Sequence, residues 1–371
     1  MPKPRLSVCH VTLSLYPDAK DGSAKFTRGI FDGLRARGHE VRAITSRWNQ
    51  TIDDPDVVQL PVPRGRFFWL PSYTLGTIRK LAGRDFDVLH GNGSRGSLPL
   101  ALTRRDYVTT IHDLGPFEAK FTAVPVVPVL EKLNATRAKM IVTCSKIVQR
   151  GIHHYVPKAG LEKMRCVYSA VDPRFRPDPA GAARVREQLG LTGPTVLYVG
   201  RIAFYKGVEH LLAAFRKLRA RHPEYQLVVG GTPTFRMRQA YEAWKGEHPD
   251  VKFVGMVPDE LLPAYYTAAD AFATYSSASE GFGLTPVEAL ACGTPVVCSS
   301  LAAYREVLRE HAVFVPPESP DALAAALERV LEDENLRRRL VEGGRRFVER
   351  YTWDAVVEAL ERAYYEYLGW R

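Results

Sequence analysis

The chain has 371 residues, which is long for one ordinary domain and typical of two. Its 46% hydrophobic and 25% charged residues are typical of a globular protein, and no run of about 18 apolar residues predicts a membrane-spanning helix. The N-terminus lacks the apolar core of a signal peptide, so we expect a cytoplasmic protein. The five cysteines show no CxxC spacing, which argues against a disulfide framework and against a zinc site.

The positive charge is concentrated in the first half of the chain. Residues 1–180 hold 28 Lys and Arg against 16 Asp and Glu, a balance of +12, whereas the remainder holds 23 against 25, a balance of −2. No nucleic-acid-binding motif accompanies this charge, so we expect no nucleic-acid partner. An anionic acceptor, an anionic membrane surface and a generic basic surface are the explanations that stay open.

Short apolar strands alternate with amphipathic helices, which is the pattern of an α/β protein with parallel sheets. A first helix is predicted at residues 24–37, with Phe26, Ile30 and Leu34 on one face and Gly38 at its end. Helical or mixed segments lie between the strands, so we expect one doubly wound sheet. Strands of this first sheet are predicted at residues 6–12, 41–45, 57–60, 87–90, 107–111, 140–143 and 165–168.

A proline-rich stretch at residues 172–179 is predicted to be a linker, and the α/β pattern restarts after it. Ligands of open α/β sheets bind at the carboxyl ends of the strands, so the binding residues are expected on the loops there. Strands of the second sheet are predicted at residues 195–199, 226–229, 251–254, 271–274, 295–298 and 312–315. Helices are predicted at residues 208–221, 234–247, 260–268, 286–291, 320–332, 336–350 and 352–368.

The most informative segment is a Gly-rich loop that leads into the helix predicted at residues 286–291. Thr285 is a suitable N-cap, and Pro286 suits the first helical position. Two carboxylates, Glu280 and Glu288, lie on either side of this helix start. A capping box between Thr285 and Glu288 is the alternative explanation of the second carboxylate. The backbone amides that would form an anion site here are those of Phe282, Gly283 and Leu284.

Two cations follow the strand predicted at residues 195–199. Arg201 and Lys206 lie five residues apart on a loop that opens a helix. This arrangement suits a diphosphate, because Arg binds it with two hydrogen bonds and Lys adds a point charge. A pair of surface cations without a ligand is the alternative.

These segments resemble motifs of the retaining glycosyltransferases of family 4, the "glycosyl transferases group 1", which have the GT-B fold. Residues 280–288 match the EX7E motif of that family, and residues 200–207 match its GR-x4-KG motif. The resemblance covers nearly the whole chain and is strongest at residues 195–300. It implies two Rossmann-like doubly wound domains, residues 1–175 and 180–351, facing each other across a cleft. It also implies a C-terminal helix, residues 352–371, that packs back on the first domain.

The resemblance assigns roles to the residues of both motifs. Glu280 would contact hydroxyls of the transferred sugar, and Glu288 would bind the ribose of the donor. Arg201 and Lys206 would neutralise the diphosphate leaving group in place of a metal ion, and no convincing DxD-type metal motif is found. The remaining donor contacts of the loop are expected from Gly281, Phe282, Gly283, Leu284 and Thr285.

Two glycine-containing segments are further donor-binding candidates. Gly22 would allow close approach of phosphate, and Ser23 would cap the first helix. The family usually has two glycines at this position, whereas this chain has one. Val254 and Met256 lie where the base-binding loop of the family is found, and backbone groups there would contact the nucleobase.

Two histidines end strands of the first sheet. His112 matches a histidine that lies close to the transferred sugar in the family, so we expect it to contact the sugar or shift a proton. His90 is the weaker candidate, and a structural histidine is the alternative at both positions.

The sequence therefore predicts a retaining transferase that moves a hexose from a nucleotide-diphosphate sugar to a hydroxyl acceptor, without a metal or other cofactor. The alternative is a non-catalytic or degenerate GT-B module that binds nucleotide sugar. A Rossmann dehydrogenase would need GxGxxG after the first strand, which residues 13–23 do not supply. Cations and aromatics at residues 64–71 suit docking on an anionic membrane or stacking on a sugar acceptor, and a partly buried loop is the alternative. With the balance of +12, we favour a lipid-linked or otherwise anionic acceptor and peripheral membrane association.

Overall fold

The computed structural model describes residues 4–19, 21–63, 68–117, 126–278 and 280–370. The chain divides into two compact units, and both are α/β with parallel sheets. The predicted fold class of two Rossmann-like doubly wound domains is therefore confirmed. Unit 1 comprises residues 1–170 and 351–371, and unit 2 comprises residues 171–350. Residues 64–67, which belong to the predicted membrane- or acceptor-binding segment, lie outside the described residues.

The sheet of unit 1 places apolar strands between two helical layers, so its strands are apolar over most of their length. Its strands are β1 (Ser7–Thr12), β2 (Glu40–Arg47), β3 (Val57–Pro61), β4 (Val88–Asn92), β5 (Val108–Ile111), β6 (Met140–Thr143) and β7 (Met164–Cys166). The described strands run parallel in the order β3-β2-β1-β4-β5-β6-β7. The order changes direction between β1 and β4, which is where an open sheet of this kind leaves a crevice at the carboxyl ends of its strands.

The helices that precede residue 170 cover this sheet. They are α1 (Gly22–Ala36), α2 (Trp69–Leu81), α3 (Gly93–Ala101), α4 (Val127–Arg137) and α5 (Lys146–Tyr155). Helix α1 buries Phe26, Ile30 and Leu34, which recur every four residues on one face. Gly38, with a φ of 89°, follows its end, in agreement with the predicted termination.

Unit 2 repeats the architecture with a shorter sheet. Residues 172–178 contain no helix or strand, and Asp178 then caps the next helix by accepting from the backbone N–H of Gly181. The described strands run parallel in the order β10-β9-β8-β11-β12-β13, namely β8 (Thr195–Val199), β9 (Gln226–Gly230), β10 (Lys252–Gly255), β11 (Ala271–Thr274), β12 (Val296–Ser299) and β13 (Ala312–Val315). The helices are α6 (Pro179–Leu189), α7 (Val208–Arg219), α8 (Arg238–Glu247), α9 (Leu262–Ala268), α10 (Leu284–Ala291), α11 (Ala302–Leu308), α12 (Pro320–Glu332) and α13 (Glu334–Val348).

The last helix, α14 (Trp353–Leu368), belongs to unit 1 although it follows unit 2 in sequence. It packs against α1 and contributes Val357, Leu360 and Tyr364 to the core of that unit. Glu361, a buried residue of this helix, accepts hydrogen bonds from Arg37 and from the His39 ring. No helix among the described residues is long and apolar enough to cross a membrane.

Candidate functional site

The loops after β8 and β11 meet at the carboxyl edge of the unit 2 sheet. Lys206, on the β8 loop, donates from Nζ to Glu280 Oε1 at 2.5 Å. Ser276, just after β11, donates to the same oxygen at 2.6 Å. The side chains of Lys206 and Glu280 are 20% and 10% exposed, so they form a largely buried pair. Two motifs that lie 74 residues apart in sequence are thus in direct contact.

Arg201 lies on the same β8 loop and is exposed. Its guanidinium donates to the Tyr205 hydroxyl at 2.7 Å. The backbone of this loop is fixed by the loop after β9, because Ile202 N–H donates to Thr232 O at 3.0 Å and Thr234 N–H donates to Ile202 O at 2.8 Å. The loop is therefore a rigid support for its two cations.

Helix α10 begins two residues earlier than predicted. Its N-cap is Gly283, with a φ of 85°, and its first residue is Leu284. The prediction that Thr285 is the N-cap is therefore wrong, and so is the position given to Pro286, because only a glycine takes this left-handed backbone without strain. A methyl group at Gly283 would also lie 2.5 Å from the Tyr304 ring. The main chain at the helix start is thereby held close against Tyr304.

Glu288 lies in the second turn of α10, five residues after the N-cap, so it does not form a capping box with Thr285. Its Oε2 accepts a hydrogen bond of 2.9 Å from the Tyr266 hydroxyl. Burial raises the pKa of Tyr266 well above its usual value, so this hydroxyl stays protonated and donates. The carboxylate is half-buried and is held by a residue of the neighbouring helix α9.

The loop amides between the two carboxylates complete this edge of unit 2. Gly281 and Phe282 are buried, whereas Gly283, Leu284 and Thr285 are half-buried. Tyr304 lies beneath this loop, on the side of the sheet. Its hydroxyl is 3.3 Å from both Ser276 Oγ and Thr274 Oγ1 at the end of β11. The arrangement offers backbone donors at a helix N-terminus beside a buried Lys–Glu pair, which suits an anionic ligand.

The loop after β10 lies on the other side of the β9 loop. Gly231 N–H donates to Gly255 O at 2.6 Å and so ties the β9 and β10 loops together. Val254 is half-buried, and Met256 is 69% exposed. The predicted base-binding residues are thus connected through the β9 loop to the loop that carries Arg201.

His112 follows β5 at the carboxyl edge of the unit 1 sheet. Burial lowers the pKa of its imidazole to about 4, against a smaller opposing effect of the Asp21 carboxylate. The ring packs edge-on against Phe26 of α1, with 5.3 Å between centroids. Its Nε2 is buried and has no hydrogen-bond partner among the described residues. A neutral imidazole with an unsatisfied nitrogen is suited to exchange a hydrogen bond with a hydroxyl.

The start of α1 differs from its prediction. Asp21, not Ser23, is the N-cap, because its Oδ1 accepts from the backbone N–H of Ser23 and Ala24 and from the Ser23 hydroxyl. Asp21 takes the N-cap position because a carboxylate is favoured at the positive end of a helix. A phosphate contact at Gly22 and Ser23 stays a prediction, and this carboxylate disfavours it.

His90 is part of a buried polar group inside unit 1. Its ring nitrogens lie 2.6 Å from the Tyr364 hydroxyl and 2.7 Å from Thr110 Oγ1. Burial lowers the pKa of His90 well below its usual value. Both ring nitrogens are therefore occupied by partners that attach α14 and β5 to β4. This arrangement favours the structural alternative for His90.

A buried carboxyl near His112 was not found from the sequence. Glu131 of α4 is 1% exposed, and burial raises its pKa to about 7, with Asp113 adding repulsion and hydrogen bonds from Ser94 opposing the shift. No local spacing marks this residue, because its neighbours come from α3 and from the loop after β5. For the same reason, no local sequence spacing marks Tyr266 or Tyr304 in unit 2.

Among the described residues, metal-ligating side chains come close together on the surface of unit 2. The cluster they form there is His222, Glu328 and Glu332, which does not include any predicted site residue. Arg221 binds both oxygens of Glu328, at 2.9 and 2.8 Å. These side chains form an ion-pair network on the surface of unit 2.

Comparisons with known proteins agree with the geometry of both units. Residues 182–347 match the model of the family described as "Glycosyl transferases group 1", and residues 20–175 match the model described as "Glycosyltransferase Family 4". The phosphatidyl-myo-inositol mannosyltransferase of Mycobacterium leprae is 36% identical over 365 residues, which cover 94% of this chain and 93% of that protein.

Two solved structures show the same fold. The sucrose-phosphate synthase of Thermosynechococcus elongatus has a TM-score of 0.81 at 26% identity, and the match covers 97% of this chain and 98% of that one. Anabaena HepE in complex with UDP-glucose has a TM-score of 0.80 at 16% identity, covering 96% and 99%.

Proposed function

Because this chain belongs to the family 4 glycosyltransferases of the GT-B fold, we propose that it transfers a hexose from a nucleotide-diphosphate sugar to a hydroxyl with retention of the anomeric configuration. The observation that carries this proposal is the contact of Lys206 with Glu280, which joins the two motifs at one edge of unit 2. In this proposal the cation that binds the diphosphate lies directly beside the carboxylate that binds the sugar.

Arg201 and Lys206 stabilise the leaving group in this proposal. Negative charge grows on the diphosphate as the glycosidic bond breaks, so fixed cations stabilise the transition state more than the bound donor. The amides of Phe282, Gly283 and Leu284 add donors at the start of α10. These groups act on the diphosphate without a metal ion or another cofactor.

Glu280 and Glu288 orient the donor. Lys206 and Ser276 donate to Oε1 of Glu280, and Oε2 is the oxygen that we assign to the sugar hydroxyls. Glu288 accepts from Tyr266 and is assigned to the ribose hydroxyls. His112 is assigned to a hydroxyl of the transferred sugar, which its neutral imidazole can hydrogen-bond. The acceptor oxygen then bonds to the anomeric carbon on the face from which the diphosphate leaves, and the hydroxyl proton passes to the departing diphosphate. Attack on that face retains the configuration.

We propose that the acceptor is an anionic lipid or another anionic compound with a free hydroxyl. The M. leprae relative is named for mannosyl transfer to phosphatidyl-myo-inositol, an anionic lipid. Residues 1–180 carry a balance of +12, which would attract such an acceptor. Phe68 and Val129, at or near the starts of α2 and α4, are 71% and 63% exposed. We therefore also propose peripheral association of unit 1 with an anionic membrane.

The donor assignment is tested by thermal unfolding in EDTA with UDP, GDP, ADP, CDP and dTDP. A ligand that binds the native state raises the melting temperature, so one nucleotide should give a clear shift. The shift should disappear in Arg201→Ala and in Lys206→Ala. It should persist in Arg216→Ala, which removes an exposed cation from α7 outside the loops. No shift with any nucleotide, with or without magnesium, would contradict the proposal.

The reaction itself is tested with the nucleotide sugar selected in this way. Product formation with α-configuration from an α-donor, measured by NMR, supports retention, and an inverted product overturns it. Donor binding without turnover on any acceptor would support the non-catalytic module instead. Sedimentation with phosphatidylglycerol vesicles but not with phosphatidylcholine vesicles at low salt supports membrane association, and equal sedimentation with both contradicts the anionic preference.

A further inference from the structure

Two large apolar side chains stand exposed on neighbouring loops at the carboxyl edge of the unit 2 sheet. Phe235, after β9, is 83% exposed, and Met256, after β10, is 69% exposed. Isolated exposed apolar residues are common on protein surfaces. Two of them on adjoining loops beside a ligand-binding edge are explained if a ligand covers them.

The backbone connects these loops to the proposed diphosphate site. Ile202, next to Arg201, pairs with Pro233 in a parallel bridge, and Thr234 N–H donates to Ile202 O. Phe235 therefore follows directly after a residue that is hydrogen-bonded to the Arg201 loop. Gly231 bonds Gly255, the residue before Met256. The three loops form one continuous support.

The position of Phe235 is fixed by its neighbours. It opens a 3-10 turn, Phe235–Met237, that leads into α8. Met237 packs against the core of unit 2 and so anchors this turn. The Arg238 guanidinium lies 5.8 Å from the centroid of the Phe235 ring. The anchored turn therefore presents the exposed ring at a fixed point of the backbone, where its apolar face is accessible to a ligand.

The shape of a nucleoside diphosphate fits the order of the loops. Neighbouring strands lie about 4.8 Å apart, so the β8 and β10 loops are separated by roughly 10 Å, with the β9 loop between them. A ligand whose diphosphate binds at Arg201 must extend its base across this distance. Nucleobases are flat, and their faces stack on aromatic rings whichever base is present.

We propose that Phe235 stacks on the nucleobase of the donor and that Met256 closes the same subsite from the β10 loop. This inference rests on the proposed function, because it assigns the base of the same nucleotide whose diphosphate binds Arg201 and Lys206. Phe235 contributes affinity for every nucleobase. Selection among the bases is left to polar backbone groups of the β10 loop, at Val254 and Gly255.

The experiment measures binding of the nucleoside diphosphate that shifts the melting temperature, and of inorganic pyrophosphate, by calorimetry. Phe235→Ala should weaken binding of the nucleoside diphosphate about five- to a hundredfold and leave pyrophosphate binding unchanged. Phe235→Trp should retain the affinity, and Met256→Ala should weaken it to a smaller degree. Leu102→Ala removes an exposed apolar side chain from unit 1 and should change neither affinity.

The results separate this inference from the function on which it rests. If Arg201→Ala loses both ligands while Phe235→Ala binds the nucleoside diphosphate like the parent, the base subsite is overturned and the donor site stands. If Phe235→Ala weakens pyrophosphate as much as the nucleoside diphosphate, the side chain supports the loop and does not stack on the base, which also overturns the inference. If the parent binds no nucleoside diphosphate, the proposed function fails first.

Discussion

The carboxylate of Glu280 is held in place by two hydrogen-bond donors. Ser276 and Lys206 both donate to Oε1, so the carboxylate is held from two directions and its second oxygen keeps a defined position. The pair is largely buried, where a hydrogen-bonded charge is oriented more firmly than at the surface. Replacing Ser276 or Lys206 would therefore loosen the carboxylate that we propose to bind the sugar, as well as remove one hydrogen-bond donor.

Glu131 provides a prediction of pH dependence at the same scale. Burial raises its pKa to about 7 from an ordinary value of 4.5, so the folded protein holds a proton that the unfolded chain releases between these pH values. The free energy of unfolding therefore falls as pH rises from about 4.5 to 7, because the unfolded chain releases this proton while the folded protein keeps it. Above pH 7 both states are ionised, and the loss of stability stays constant. Glu131→Gln removes it, and we expect the variant to gain on the order of 3 kcal/mol over the parent at pH 8.

This prediction is checked by urea denaturation of parent and variant at pH 4.5 and pH 8. The gain should appear at pH 8 and be small at pH 4.5, where the carboxyl is protonated in the folded protein and about half-protonated in the unfolded chain. The Gln amide oxygen can still accept from Ser94, which keeps that hydrogen bond. Glu162→Gln, at an exposed position of unit 1, should show no comparable gain. An equal stability difference at both pH values would show that packing, and not charge, is responsible.

Single residues were predictable where a motif encodes them locally. Lys206 and Glu280 are marked by fixed spacing within their own loops, and the structure brings them into contact. Tyr266, Glu131 and Phe235 carry no such spacing. Their environments are created by elements that are distant in sequence. The sequence around each residue therefore does not indicate its role.

At the scale of elements, helix α10 depends on one glycine. Gly283 has a φ of 85°, and an added methyl group would lie 2.5 Å from the Tyr304 ring. We expect Gly283→Ala to destabilise the protein by about 1–3 kcal/mol and to weaken nucleotide binding, because the loop amides would shift.

The matched control is Gly246→Ala on α8. Gly246 has an ordinary helical backbone, and nothing lies within 4 Å of an added methyl group there. This variant should gain about 0.5–1 kcal/mol, since alanine favours the helix, and should bind nucleotide like the parent. Melting temperatures with and without nucleotide measure both effects. Equal behaviour of the two variants would show that the backbone of Gly283 has no special role.

The strands were more predictable than the helices, for a physical reason. Strands of parallel sheets are buried on both faces and read as short apolar runs, such as β8 and β11, whose bounds agree with the prediction. Several helices of unit 1 lack a clear apolar stripe. Helix α3 contains Gly96 and Pro99, and α4 buries Glu131 among its inward-facing residues. Their helical state is decided by packing against the sheet, which local propensity does not record.

At the scale of the whole molecule, the chain leaves unit 1 at residue 170 and returns to it at residue 351. Helix α14 then completes the core of unit 1, and Tyr364 reaches His90 at the centre of the sheet. The C-terminal helix was assigned to the first domain only through the family resemblance. Its own sequence shows an amphipathic helix and does not show which sheet receives it.

The return of α14 requires small residues on α1, and this gives a prediction for the whole molecule. A methyl group at Gly29 would overlap the Trp353 ring, and one at Gly33 would overlap Val357. We therefore expect Gly29→Ala to loosen α14 and to lower the stability of unit 1 by about 1–3 kcal/mol, as overpacking of a core does. Hydrogen exchange should accelerate in α1 and α14 and stay unchanged in β8 and β9 of unit 2. Unchanged exchange in α14 would show that Trp353 moves aside without cost, and acceleration in both units would show that α14 supports more than the unit it packs against.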